Sequence, residues 1–426
     1  MKRLKSTLFW LLFALPTAAV AQESLRDRPY IGSIDLGISG VGASFGNSIR
    51  WTGVRLNLRD RYVEDVNGVN LTLWKPIRNP DLEVNGIAAG LFYPEAARIN
   101  GVAIGAGGVV AHESLRGISV GGLGVVSEGA ITGISVSGVG LVAQGDLTGI
   151  NVAGVATIAQ GDMTGLNVAG VATVAQGGLE GINIAGVATV AQGGLKGINV
   201  AGVATVAQGD MTGLNIAGMG TVAQGDMTGL NIAGIGTVAQ GSMTGLNIAG
   251  IGTVAQGDLK GINAAGIGVV AQGDLTGINV SGIGAVAQGV VRGISIGGIG
   301  VVGQNGITGI AVGGAGVVAD KAPIRGVAAS LGRVESREAL HGIMVGGVRV
   351  KAPETRGFTI SPAMLRTGEL HGVSIAAFND IRGAQHGLSI GIYNSTRDLN
   401  GVQIGLLNHA ANARFKWLPI LNANFR

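Results

Sequence analysis

The 426-residue chain contains no cysteine, nine prolines, 4% aromatic residues and 13% charged residues. Without cysteine there can be no disulfide, thiolate metal site, cysteine nucleophile or lipid-modified leading Cys, so an exported chain of this kind must be held together another way. Low charge is the opposite of what a disordered chain needs. Few prolines and no Gly-X-Y triplet exclude collagen. No aromatic lies between Tyr93 and Phe358, so a core in that stretch must be aliphatic. Glycine is abundant instead, at 79 positions. A glycine inside a helix costs ~1 kcal/mol relative to alanine, so a large helical domain is disfavoured.

Lys2, Arg3 and Lys5 precede the apolar run Leu8 to Leu15, which is followed by Pro16 and by Ala19-Val20-Ala21 ahead of Gln22. This is the tripartite pattern of a secretory leader over residues 1–21. The apolar run is shorter than the ~20 residues that span a bilayer, and no later run reaches that length, so no helical membrane span is expected. Without the leader's three cations the formal net charge falls from +4 to +1. The basic balance therefore belongs to the leader, and nothing electrostatic points to a nucleic-acid partner.

A glycine recurs every 16 residues from Gly101 to Gly309 without a slip, thirteen intervals in all. The unit opening at Gly149 reads GINVAGVATIAQGDMT, and the next, at Gly165, reads GLNVAGVATVAQGGLE. Less regular openings at Gly53, Gly68 and Gly86, and at Gly326, Gly342, Gly357, Gly372, Gly387 and Gly401, bring the array to about 23 units. Counting each opening glycine as position 1, positions 2, 4, 7, 10 and 15 form apolar columns. Asn fills position 3 from Asn151 to Asn279, and Gln fills position 12 from Gln144 to Gln304. β-branched residues at period two, punctuated by Gly, predict short strands and tight turns. Three regions follow: residues 22–100, an N-terminal β cap with irregular repeats; 101–325, the regular array; and 326–426, irregular repeats with a C-terminal β cap.

Two all-β architectures accommodate such a unit. In a β-solenoid each unit is one coil and equivalent residues stack ~4.8 Å apart. The apolar columns then become internal ladders, and the Asn and Gln columns become amide ladders. In an up-and-down transmembrane barrel each unit is one strand. Alternate strands then end in different solvents, so a 32-residue superperiod and aromatic girdles are expected. The turn tripeptides DLT, DMT, GLE, GLK, DMT, DMT, SMT, DLK and DLT from Asp146 onward show no alternation, and the girdles are missing. The sequence therefore favours a solenoid of about 23 coils, with the aromatic-rich ends as caps. Uncapped ends would expose strand edges and invite end-to-end self-association.

The units GVQIGLLN (Gly401 to Asn408) and GLSIGIYN (Gly387 to Asn394), the segment GVRLNL (Gly53 to Leu58) and the closing WLPILNANF resemble a family of exported bacterial surface-repeat proteins with GLQIGLVN-type repeats. The likeness is best over residues 53–100 and 372–426. The central array departs from it, with Asn where the family more often has Gln. The resemblance implies an envelope or cell-surface location in a bacterium with an outer membrane, and it brings no catalytic residues.

Sites with chemistry are few. Asp146, Asp162, Asp210, Asp226, Asp258 and Asp274 share position 14, where they are read as turn formers or, alternatively, as calcium ligands, although the calcium-coil motif is missing. His341, His371 and His386 each precede an opening glycine, and the last two are expected to stack on adjacent coils. No carboxylate is evidently placed to complete a zinc site. The Thr157 and Asn151 columns allow an ice-binding face. Gly105-Ala106-Gly107-Gly108 lacks the Lys-Ser/Thr of a phosphate loop. No catalytic, cofactor or metal residue is assigned. The expectation is a non-enzymatic structural or adhesive protein, exported across the inner membrane to the outer membrane, cell surface or periplasm, with an unidentified envelope partner; a barrel pore is the alternative.

Overall fold

The computed structural model describes residues 32–77 and 79–425, so the leader lies outside the described residues. The described chain has no helix and winds as a β-solenoid with a repeat of about 16 residues. Each regular coil has a seven-residue strand and a four-residue strand, such as Met211–Ala217 and Gly220–Ala223, separated by short turns. Each strand pairs in parallel with its equivalent one unit away and in sequence register: Met211 with Met227, Gly213 with Gly229, Asn215 with Asn231. Parallel pairing of consecutive units excludes the up-and-down barrel, whose neighbouring strands must run in opposite senses. The stack has about 19 turns, or roughly 90 Å at the usual strand spacing. That is fewer than the about 23 openings counted in the sequence; within Arg349–Ala410 the chain still stacks coil on coil, Gly372 on Gly357 and Gly387 on Gly372.

Glycine at position 1 is required by geometry. Gly213 has φ 105°, and a Cβ there would lie 2.2 Å from the carbonyl oxygen of Gly197 in the preceding coil. No side chain fits, because the obstacle is backbone. Sixteen is also an even number, so side chains keep the same alternation from one coil to the next. Odd positions face inward except where the chain turns a corner. The interior of the unit opening at Gly149 is therefore Asn151, Ala153, Thr157, Ala159 and, closing the unit, Met163, all buried.

This inverts the expected packing. Of the five apolar columns, only position 15 is internal, with Leu147, Met163, Leu179 and Met211 fully buried. Positions 2, 4, 7 and 10 face outward; Ile150 is 42% exposed, and Ile299, at position 7, is 56% exposed. The cross-section left by 16 residues is too narrow for five large side chains per coil, and Ala, Asn and Thr fill it instead. The anticipated Asn ladder does form. Each Nδ2 donates to the Oδ1 of the next Asn at 2.8–2.9 Å from Asn151 to Asn279, and Asn279 donates to Ser295 Oγ. The Gln column faces outward and forms no such ladder among the described residues.

Both ends of the described chain turn back on themselves. Ser33–Ile38 pairs antiparallel with Val41–Gly46 through a turn with positive φ at Ser39 and Gly40, the hairpin geometry that suits twisted strands. Trp417–Asn424 pairs antiparallel with residues 401–409 across a register shift between Gly405 and Asn408. Beneath the N-terminal hairpin a fully buried Arg55 occupies the inward position 3. Its Nη1 donates to Asp60 at 2.6 Å and to Asn70 at 2.7 Å. Of the aromatics expected to cap this end, Trp51 is buried, while Trp74 and Phe92 are about half exposed.

Replacing Asn215 by Ala would leave Asn199 Nδ2 without an acceptor and Asn231 Oδ1 without a donor. Each buried orphan costs about 1–3 kcal/mol. Because coils interact only with their neighbours, amide exchange is expected to accelerate locally, over residues 197–233, while distant coils keep their protection. Unchanged exchange in those coils would show that the ladder contributes no stability.

Candidate interaction surface

Corners at positions 1, 6–7 and 12–14 divide the coil into three sides. Two of them, positions 2–6 and 8–11, meet at the position-7 corner. From Gly101 to Ala319, positions 1–11 of every unit carry no charged residue. The outward positions among them hold only Gly, Ala, Val, Ile, Leu and Met. Their polar residues, the Asn and Thr columns, point inward and are fully buried. The position-7 corner protrudes most, with Val171 at 44%, Ile251 at 47% and Met219 at 50% exposure. At ~4.8 Å per coil and ~3.3 Å per residue, these two sides present on the order of 2,000 Å² of apolar surface, well beyond the few hundred Å² usual on a monomer.

Charge is confined to the third side. Glu128, Asp162, Glu180, Lys196, Lys260 and Arg292 all fall at positions 12–16. The Asp column there ties one coil to the next, each Oδ1 accepting the backbone N–H of the equivalent residue in the following coil. Asp146 accepts from Asp162 at 2.9 Å, Asp210 from Asp226 at 2.8 Å and Asp258 from Asp274 at 2.8 Å. Where Ser242 interrupts the column, its Oγ accepts from Asp258 at 3.1 Å. The backbone N–H of Asp274, with Lys260 as a second contributor, holds the Asp258 carboxyl below the usual carboxylate range. The column is thus a backbone staple at the corner, which accounts for Asp without invoking calcium.

The apolar area is bounded along the axis. Past Ala319 the same columns become charged: Arg333 takes the place of Gly316 and Glu335 that of Val318, and then Arg349 and Lys351 follow in register. Glu335 lies 3.1 Å from both Arg349 and Lys351. At the other end the position-7 ridge runs into Phe92 and Trp74, whose rings are 5.4 Å apart.

Histidines 371 and 386 stack on adjacent coils, with ring centroids 4.7 Å apart and planes 11° apart. Arg356, not a further histidine, fills the same column between His341 and His371. The structure does bring carboxylates to His371, contrary to the sequence expectation: Glu354, Glu369 and His371 place ligand atoms within 4.8 Å of one another. Glu354 is already paired with Arg356, a fixed cation that competes with any metal there. The ice-binding face is not present, since Thr157, Thr173, Thr189 and Thr205 are 0% exposed. A shallow cleft at the N-terminal end is lined by Ser33, Asp35, Ser48, Arg50 and Trp51 among others, and none of its lining residues is a histidine. Neither this cleft nor the buried Arg55–Asp60 pair was anticipated from sequence, although Arg55 stands at an inward position once the alternation is known.

Acid is expected to loosen the corner staple. A carboxyl depressed in the folded state contributes stability that is complete above its unfolded pKa, ~3.9 for Asp, and is lost as pH falls through the folded value. The wild type should therefore melt higher than Asp258→Asn at pH 6, with the gap closing below about pH 4. A gap that stays constant into strong acid would remove the carboxylate's charge from the account. No protein-family model, curated protein or solved structure matches the chain.

Proposed function

We propose that the protein is a non-enzymatic, exported element of a bacterial envelope that works as a rigid rod through its flanks, in a structural or adhesive role. The observation that carries this reading is the uncharged apolar surface running unbroken from Gly101 to Ala319 on a fold whose strands pair coil on coil in register. A surface of that size marks interaction with another body. The uniformity of the coils argues against a prepared catalytic centre. The leader pattern of residues 1–21 and the resemblance of the terminal repeats to exported surface-repeat proteins supply the location. The pore reading required antiparallel neighbours and falls with them. End-to-end growth is disfavoured: Pro419 removes a donor from the last strand, and the register shift beside it twists that edge.

Expression in an outer-membrane bacterium followed by fractionation and mass spectrometry tests this. The expected product starts at Gln22 and is found in the envelope fraction. A full-length chain retained in the cytosol would overturn the reading.

A further inference from the structure

We infer that the two apolar sides form a wedge that beds lengthwise in one leaflet of a lipid bilayer, with the charged side facing water. The inference rests on the envelope reading for its setting, but its physical argument is independent of it.

Three features select hydrocarbon as the occupant. The first is chemical. Protein interfaces are only about 56–65% apolar and carry roughly one hydrogen bond per 100–200 Å². Here the outward positions from Val102 to Val318 offer no hydrogen-bonding side chain at all on those two sides, and the backbone groups of the strands are used within the parallel ladders. Such a surface enters hydrocarbon without stranding a polar group, the condition any lipid-exposed structure must meet. The second is shape. The wedge is convex, with position 7 as its ridge, so a flat partner reaches one side at a time, whereas a fluid reaches both sides and the ridge together. The third is dimension. Fourteen coils at ~4.8 Å extend about 67 Å, more than twice the ~30 Å thickness of the hydrocarbon core, so the rod cannot span it upright. Each side, about five residues at ~3.3 Å, is ~16 Å wide, which matches the ~15 Å depth of one leaflet.

The borders fit an interfacial placement. Polar columns at positions 12 and 16 run along both long margins. Arg333, Glu335, Arg349 and Lys351 close the distal end, and half-exposed Trp74 and Phe92 continue the apolar ridge at the proximal end. The charges of the third side are mainly acidic, so attraction to anionic headgroups is not the driving force.

The test uses the purified mature chain and phosphatidylcholine vesicles. The wild type is expected to float with the vesicles equally at 0.1 M and 1 M NaCl, because hydrophobic insertion is not screened. The triple variant Ile235→Asp, Ile251→Asp, Ile267→Asp, which places three charges on the ridge, is expected to keep the β circular-dichroism spectrum and to lose at least tenfold in partitioning. Should that variant misfold, single-site labelling provides the second arm, since the chain has no native cysteine. A fluorophore on Ile251→Cys is expected to be quenched by brominated lipid, and one on Thr244→Cys, on the charged side, is not. Equal quenching at both sites, or at neither, overturns the placement. So does a wild type that stays unbound while forming a discrete oligomer dispersed by the ridge charges, which would assign the wedge to a second copy of the chain. Flotation is read on pure components, so a protein that binds vesicles yet fractionates with the cytosol would refute the envelope location alone.

Discussion

The closeness of successive coils at the position-1 corner governs the molecule. With Gly213 lying against the carbonyl of Gly197, and the same contact repeated at neighbouring openings such as Gly197 and Gly229, each coil can settle on the last only in register. Register makes every column a stack of equivalents, and an even coil length keeps each column on one side of the wall. A single backbone approach thus determines which side chains meet. The Asn column then has no choice but to bond along the axis, and the Asp column no choice but to sit over the next coil's N–H.

That constraint also explains an unusual core. Most β folds bury their Val and Ile and expose their polar residues. Here the interior holds one aliphatic side chain per coil at position 15, most often Leu or Met, joined in some coils by Val or Leu at position 9 (Val125, Leu141, Val269), and the rest is mainly Ala, Asn, Thr and Ser. Cohesion therefore rests on ladder hydrogen bonds and close packing of small groups more than on burial of large apolar area. Several Thr hydroxyls, from Thr157 to Thr221, lack a partner, and within this column only Thr237 reaches its neighbour, Thr253, at 3.2 Å. The Thr column fills space, while the Asn column binds.

The period, the all-β class, the parallel stacking and the Asn ladder were legible in the sequence because each depends only on spacing. Sidedness was not, because hydrophobicity taken alone points the wrong way. Alternation divides the unit into odd and even sets but does not say which set faces in. The glycines do not decide it either, since their columns stand at odd positions 1 and 13 and at even position 6 alike. Arg55 misleads for the same reason, since an arginine reads as surface until Asp60, five residues on, is seen to return beneath the hairpin and pair with it. The carboxylates gathered at His371 escape a sequence reading because Glu354 comes from the preceding coil, and its proximity exists only once the coils are stacked.

The inverted distribution of polarity is consistent with itself. A side-chain amide ladder gains little over water when water can compete for its groups, and it strengthens as the surrounding dielectric falls. The walls that enclose the Asn column are the same strands that carry Ile150, Val152 and Val155 on their outer faces. Surrounding those faces with hydrocarbon would exclude water from both sides of the wall, leaving the backbone ladders and the internal amides without a competitor. In water the same rod would keep its hydrogen bonds but carry an apolar exterior that no part of its own described chain covers. The arrangement that suits the inside is therefore also the one that suits the outside, and both favour an apolar medium along the flank.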